Sequence, residues 1–202
     1  GATLRRRRRQ ALQSGAAAST ASLRSRLLNL DYIEECIVIQ NASNVGAVVS
    51  GKSMDPNAIW IFLTPNTLTV DQEDEIGALL HQRVAAGTEM HGAEIKTVTD
   101  LGGSTSRTVS WDYGANTPTD LTVTATPEPG YVLADLEAAI EDAMVAFFDG
   151  LGMGSILREY DLIVATSGIE GIADVSFVAS IGALPYTPTI DETVTLGTLT
   201  VV

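Results

Sequence analysis

The sequence LTVTATPEPGYVLADLEAAIEDAMVAFFDG, residues 121–150, contains the two clearest periodic patterns of the chain. Its first six residues carry an apolar side chain at every second position, which is typical of a half-buried β-strand. The prolines at positions 127 and 129 end this strand, because proline cannot donate a hydrogen bond to a ladder. The pattern then changes to three- and four-residue steps, which predicts a helix whose apolar stripe is formed by Leu133, Leu136, Ile140, Ala143, Met144 and Phe147.

A second helix and a second strand are predicted to complete this unit. A glycine-rich loop at residues 150–154 (GLGMG) separates the two helices, and Ser155 is the predicted N-cap of the second one. That helix is expected to end near Gly168 and to have an apolar side formed by Ile156, Leu157, Tyr160, Ile163 and Val164. Residues 171–178 (GIADVSFV) predict the closing strand. The resulting order of strand, helix, helix and strand is typical of a structural unit whose helices pack on its strands.

The remaining elements are predicted from the same two periodicities. Helices are expected at residues 4–13, 19–29 and 69–87, the last of them with Thr69 as its N-cap. Strands are expected at residues 33–40, 58–64, 94–99, 107–113 and 193–201. A GGS turn at residues 102–104 predicts a hairpin, and polar connections are expected at residues 41–57 and 114–120. The strand at 58–64 (AIWIFLT) is apolar on both faces, which predicts a central position, whereas the alternating strand at 193–201 is typical of an edge or docking strand.

These patterns predict an α+β fold: two small modules of mixed strands packed with amphipathic helices, preceded by an N-terminal helical segment. We place the arginine-rich helical segment at residues 1–30, the first module at 31–114, and the second module with its terminal strand at 119–202. The 202 residues, 45% of them apolar, are enough for two small cores. The longest apolar runs fall short of the roughly 20 residues that span a bilayer, so we expect no membrane insertion.

The charge is distributed unevenly along the chain. Residues 1–26 contain seven of the twelve basic residues and no acidic one, whereas the other 176 residues contain five basic and twenty-five acidic residues. A cationic segment next to an acidic body is expected to attract the acidic body of a neighbouring copy or of a partner, and salt would weaken that attraction.

No pattern in the chain predicts a reactive site, so we expect a protein that is not an enzyme and holds no cofactor or metal. The single cysteine, Cys36, lies in an apolar strand and is expected to be a small buried hydrophobe. Of the two histidines, His81 is expected on the solvated flank of a helix and His91 in a turn. The GLGMG loop follows a helix instead of a strand, which is the wrong context for a phosphate loop. A carboxylate-based hydrolase would need two converging acidic groups, and the predicted acidic residues lie on helix faces typical of solvated surface.

The run of arginines has three interpretations. It could neutralise nucleic-acid phosphates, although no aromatic residue is interleaved and the acidic body would repel a duplex. It could form a solvated helix face, or it could meet carboxylates of a protein partner through guanidinium forks. Under the last interpretation the candidate interface residues are Arg5, Arg6, Arg7, Arg8, Arg9, Arg24 and Arg26.

Several segments, in this order and spacing, resemble the baseplate J-like proteins of contractile-tailed phages. They begin with LRRRRR at residues 4–9 and LRSRLL at 23–28, and they continue with YIEECIV at 32–38, NAIWI at 57–61 and AAGT at 85–88. The series ends with GLGMG at 150–154, GIADV at 171–175 and DETVTLG at 191–197. The resemblance covers nearly the whole chain.

The resemblance implies a structural role in the wedge of a tail baseplate, either of a phage or of a related contractile injection particle. The expected partners are other baseplate wedge proteins and copies of the chain itself, which together form a ring around the tail hub; hub and sheath-initiating proteins are further candidates. It implies no small-molecule substrate, and a location in the virion tail after assembly in the cytoplasm of the host bacterium. Family members usually have a further segment before the arginine-rich helix, so we expect this chain to be a fragment or a cleaved product.

Overall fold

The computed structural model describes residues 19–99 and 106–202, and the chain divides into two compact units between Gly114 and Ala115. Each unit is a mixed sheet packed against helices, so the predicted α+β fold class is confirmed. The helix predicted at residues 4–13 and the turn predicted at 102–104 lie outside the described residues.

Unit 1 is built around one central strand. Its described elements are α1 (Thr20–Leu27), β1 (Glu35–Gln40), β2 (Ala47–Val49), β3 (Lys52–Met54), β4 (Ala58–Thr64), α2 (Val70–Arg83), β5 (Glu89–His91), β6 (Glu94–Thr99) and β7 (Ser106–Tyr113). The sheet order is β1-β4-β7-β6, and β5 also pairs with β4. β4 runs antiparallel to β1 and parallel to both β5 and β7. This central position accounts for the apolar residues on both of its faces.

Helices α1 and α2 cover one face of this sheet. Leu23 and Leu27 of α1 pack in the same cluster as Ile76 and Leu80 of α2, over the fully buried Trp111 of β7 and the inward residues of β4. The predicted N-cap of α2 is confirmed: the Thr69 hydroxyl accepts the Gln72 N–H, and the Gln72 side chain accepts the Thr69 N–H. This reciprocal pair satisfies two N–H groups that the first turn leaves without helical partners.

Unit 2 has a three-stranded sheet with both helices on one face. Its elements are β8 (Ala115–Pro127), α3 (Leu133–Asp149), α4 (Glu159–Thr166), β9 (Ile172–Ala179) and β10 (Glu192–Val201). The sheet order is β10-β8-β9, with β10 parallel and β9 antiparallel to β8. β10 is therefore an edge strand, as its alternating sequence predicts. The core contains Leu121 and Val123 of β8 together with the buried stripe of α3, which consists of Leu136, Ile140, Met144 and Phe148.

The prediction of a polar connection at residues 114–120 is wrong from Ala115 onward, because these residues are the first half of β8. They pair with β10, whose residues are about 80 positions later in the chain, with Glu192 opposite Ala115. Thr119 is fully buried and continues the inward alternation of Leu121. β9 begins to pair only at Leu121, so Pro118 lies where β8 has a neighbour on one side alone, a position that tolerates proline.

The predicted start of the second helix is also wrong. α4 begins at Glu159, and Ser155 does not cap it. Leu157 instead exchanges two backbone hydrogen bonds with Tyr186, of 2.9 and 3.0 Å, which hold it in an extended bridge. Three smaller predictions differ as well. Residues 41–57 contain the β2–β3 hairpin, His91 lies in strand β5 instead of a turn, and α2 ends at Arg83, four residues before the expected Gly87.

Candidate interaction surfaces

The predicted arginine interface is only partly described by the structure. Arg5 to Arg9 lie outside the described residues, whereas Arg24 and Arg26 are exposed in the last turn of α1. The Arg24 Nε donates to the Cys36 carbonyl oxygen at 2.7 Å, which ties α1 to β1. Arg24 therefore has a structural contact within unit 1, which the sequence did not predict.

Cys36 has the character expected from the sequence. Its side chain is 1% exposed and packs in the core of unit 1. Burial raises the pKa of the thiol to about 12, and the nearby Arg24 guanidinium opposes this only in part. The thiol is therefore protonated at neutral pH and is a poor nucleophile.

Helix α4 has an apolar side that faces solvent. Tyr160, Ile163 and Val164 are 70%, 40% and 51% exposed and form what we call the α4 face. The sequence predicts an apolar side of this helix from these residues, and the structure turns that side outward. The helix has only eight residues, and it contacts the core through Leu162 and Thr166 on its other side. Three large apolar side chains at positions i, i+3 and i+4 consequently form one outward patch.

A shallow groove continues the α4 face towards the edge of the sheet. It lies between the C-terminal end of α4 and the start of β9, and its apolar lining comes from Ile163, Ile169, Ile172 and Val175. Its volume is about 220 Å³. β9 is an edge strand of its sheet, so the groove lies next to backbone that pairs with no other described strand on that side. Apolar lining beside a strand edge is typical of a surface that binds an extended or helical segment.

The surroundings of the α4 face are strongly acidic. Residues 115–202 contain thirteen carboxylates and a single cation, Arg158, whose Nη1 lies 3.5 Å from the Asp161 Oδ2. Glu159 and Asp174 are exposed at the two ends of the face and groove. Glu170, between them, accepts a 2.9 Å hydrogen bond from the Tyr131 hydroxyl. The apolar patch is therefore bordered by negative charge.

The start of β10 is fixed by one carboxylate. Glu192 accepts hydrogen bonds from the hydroxyl groups of Thr117 and Tyr186, the latter at 2.7 Å, and from the Thr189 N–H at 3.1 Å. Burial opposes ionisation and would raise the pKa of Glu192, but these hydrogen bonds outweigh it and the pKa is lowered. The ionised Glu192 therefore connects β8, β10 and the segment before β10.

Unit 1 contains an aromatic and charged cluster that sequence reasoning missed. The Trp60 ring stacks on His91 with centroids 5.1 Å apart, and its Nε1 donates to the Asp112 Oδ2 at 2.6 Å. The Lys52 Nζ lies 5.5 Å from the Trp60 ring centroid, and the His91 Nε2 lies 3.5 Å from the Asp55 Oδ2. Strand alternation in β4 was the available signal for Trp60, but its partners come from β3, β5 and β7. Through these contacts the cluster connects β3 of the β2–β3 hairpin, β5 and β7 to the central strand β4.

The described residues contain neither a metal-binding cluster nor a membrane-spanning helix. Within 19–99 and 106–202, no three His, Cys, Asp or Glu side chains come close enough together to hold a metal ion. Among the helices of the same residues, none is both long and apolar enough to cross a bilayer.

Comparison with known families identifies the second unit. Residues 119–202 match the model of the Baseplate J-like protein C-terminal domain. Comparison with curated proteins gives no significant match. Over these residues the family match confirms the resemblance noted in the sequence, and it indicates a structural role among the proteins of a phage tail baseplate. Over residues 119–202, the chain therefore resembles the C-terminal domain of the baseplate J-like proteins, which are structural components of phages.

Proposed function

We propose that the protein is a wedge component of the baseplate of a contractile tail. It assembles with copies of itself and with other wedge proteins into the ring around the tail hub, after synthesis in the host cytoplasm. The observation that carries the proposal is the family match over residues 119–202, which covers nearly all of unit 2. The role is that of a building block, for which we expect no catalysis.

The surfaces of unit 2 support this proposal. A ring forms when one patch on each copy meets a different patch on the next copy and the rotation closes. The α4 face, its adjoining groove and the acidic border provide a directional patch of this kind. The edge strands β9 and β10 offer further backbone groups for contact between subunits.

Electron microscopy of purified tails tests the proposal directly. A small epitope is inserted in the protein, and gold-labelled antibody is located on negatively stained particles; we expect the label at the baseplate. Label on the sheath, the tube or the capsid would contradict the proposal. In parallel, mixing the purified chain with each candidate wedge protein should give a complex that elutes earlier than either component in gel filtration.

A second candidate function rests on the five consecutive arginines, Arg5 to Arg9, which could neutralise nucleic-acid phosphates. Binding of the chain to fluorescent duplex DNA at moderate salt, compared with a variant in which the five arginines are alanine, separates the two functions. We expect weak binding from both proteins, because the rest of the chain is acidic and repels the duplex. Tight binding by the unchanged chain alone would favour the nucleic-acid function.

A further inference from the structure

We propose that the α4 face and its groove receive the arginine segment of a neighbouring copy, where the arginine segment denotes residues 4–13 (LRRRRRQALQ). The inference rests on the proposed self-assembly and names the two surfaces that meet. It would make unit 2 of each copy the receptor for the N-terminal segment of the next. Such a head-to-tail contact is heterologous and therefore suited to a closed ring.

The chemistry of the arginine segment matches that of the surface. The segment has five guanidinium groups and two leucines, and the first eighteen residues contain no carboxylate. Guanidinium forks bind carboxylates with two parallel hydrogen bonds, and the aliphatic part of arginine covers apolar surface. Arginine also stacks on exposed aromatic rings, and the Tyr160 ring is 70% exposed on the α4 face.

The negative charge of the acidic border favours a cationic segment over other possible occupants. Glu159 lies at one end of the surface, and Asp174 lies at the other. Two α4 faces meeting each other would bring like charges together, which costs free energy in an interface. A nucleic acid would be repelled for the same reason. A cationic segment with some apolar side chains would pair with the acidic border and cover the apolar patch. Residues 4–13 of the chain are such a segment.

The test measures binding of the segment to the full-length chain. A fluorescent peptide of residues 1–18 is titrated with a chain in which Arg5 to Arg9 are glutamine, so that the receptor's own segment does not compete. We expect saturable binding by fluorescence anisotropy, weakened about tenfold or more between low and high salt. A peptide with the five arginines replaced by glutamine should not bind. A five-lysine peptide should bind more weakly than the arginine peptide, since lysine lacks the fork and the stacking plane.

Substitutions on the receptor locate the site. The double change Tyr160→Ser and Val164→Ser should weaken binding about tenfold or more, because it removes exposed apolar contacts without touching the core. The matched control is Val48→Ser on β2 of unit 1, an apolar residue that is 73% exposed and should leave binding unchanged. Circular dichroism checks that each variant keeps its helix content. Equal binding by the control and the double variant would reveal unspecific charge attraction and would overturn the proposal.

Sedimentation velocity of the unchanged chain tests whether the contact joins two copies. Association that both the Tyr160/Val164 change and the arginine change abolish supports the proposal. A chain that stays monomeric although the peptide binds would assign the contact to a single copy and overturn the proposal as stated. The location of the label on tails is independent of these results. If the label lies at the baseplate but the peptide does not bind, only this inference is contradicted. If the peptide binds but the label lies elsewhere on the particle, only the proposed function is contradicted.

Discussion

Gly92 occupies a position in unit 1 that has no room for a side chain. Its φ is +146°, and a Cβ placed there would lie 2.3 Å from the backbone carbon and oxygen of Trp111. We expect Gly92→Ala to lower the free energy of unfolding of unit 1 by about 3 kcal/mol or more, since backbone strain and overpacking each cost about 1–3 kcal/mol. Urea denaturation followed by tryptophan fluorescence measures the change.

Gly87 provides the control for this substitution. Its φ is also positive, at +87°, but no atom of the described residues lies within 4 Å of a Cβ built on it. Gly87→Ala should therefore show the effect of backbone strain alone, a loss of about 1 kcal/mol. Equal losses for the two variants would contradict the assignment of the larger cost to the contact with Trp111.

Glu192 makes the stability of unit 2 dependent on pH. A carboxyl group whose pKa is lower in the folded state stabilises that state above its unfolded pKa, and the stabilisation is lost as pH falls through the folded pKa. The pKa of Glu192 is lowered from 4.5, so its contribution is present at neutral pH, begins to fall near pH 4.5 and is lost as the pH drops through the lower pKa of the folded state. We expect Glu192→Gln to reduce the free energy of unfolding by about 1–3 kcal/mol at pH 7, the range for hydrogen bonds to a charged group. Thermal melts from pH 7 to pH 3 give the comparison.

The difference between the two proteins should shrink as the pH falls towards 3, because protonation removes from the wild type what the substitution has already removed. Glu137→Gln, on the exposed surface of α3, is the matched change of charge and should leave the melting temperature near neutral pH close to that of the wild type. A constant gap between wild type and Glu192→Gln at every pH would show that the ionised form of Glu192 carries no special stabilisation.

At the scale of single elements, α3 supplies most of the helical contribution to the core of unit 2. Ile140 is fully buried in the middle of its stripe, whereas Val145 is 48% exposed on the opposite side. We expect Ile140→Ala to cost about 2–5 kcal/mol in unfolding free energy and Val145→Ala to stay within about 0.5 kcal/mol. Guanidinium denaturation followed by far-ultraviolet circular dichroism tests both. Similar midpoints for the two variants would mean that α3 packs with a different face.

Elements with a local signal could be predicted from the sequence. Thr69 followed by Gln72 forms a capping box within four residues, and the bounds of β4 follow from the apolar run between Asn57 and Pro65. The stripe of α3 lies within one element and needs no partner to be recognised. Prediction failed where distant residues decide the structure. The first half of β8 has polar residues, and only pairing with β10 makes it a strand.

Helix α4 shows a second kind of failure. Its apolar residues repeat at helical spacing, and this pattern is the same for a stripe that enters a core and for one that faces solvent. The structure buries Leu162 and exposes Tyr160. The extended bridge between Leu157 and Tyr186 keeps the residues before Glu159 out of the helix, and it sets the orientation of the helix. The bridge is not visible in the sequence, so the sequence does not tell whether the apolar side of α4 enters the core or faces solvent. The sequence therefore predicts an apolar side of α4 but not that this side faces solvent.

At the scale of the whole molecule, the opposite charges of the N-terminal segment and the rest of the chain should govern association. Replacing Arg5 to Arg9 by glutamine removes five of the twelve basic side chains and all of the arginine run. We expect the variant to associate more weakly than the wild type at low salt, with the difference vanishing at high salt as the charges are screened. Light scattering across a salt series measures this. Identical scattering at every salt concentration would assign the run to solvated surface.

The parallel pairing of β10 with β8 has a mechanical consequence. Glu192 lies opposite Ala115 and Val201 lies opposite Val123, so the beginning of β8 and the end of β10 are at opposite ends of the pair. Backbone hydrogen bonds of 2.8 and 2.9 Å hold Val202 between Val123 and Ala125 at the far end. A pull applied at Ala115 and Val202 would act along the strands and load the whole ladder in shear, instead of opening it one bond at a time. Unit 2 is thus arranged to transmit tension between its two ends without unzipping.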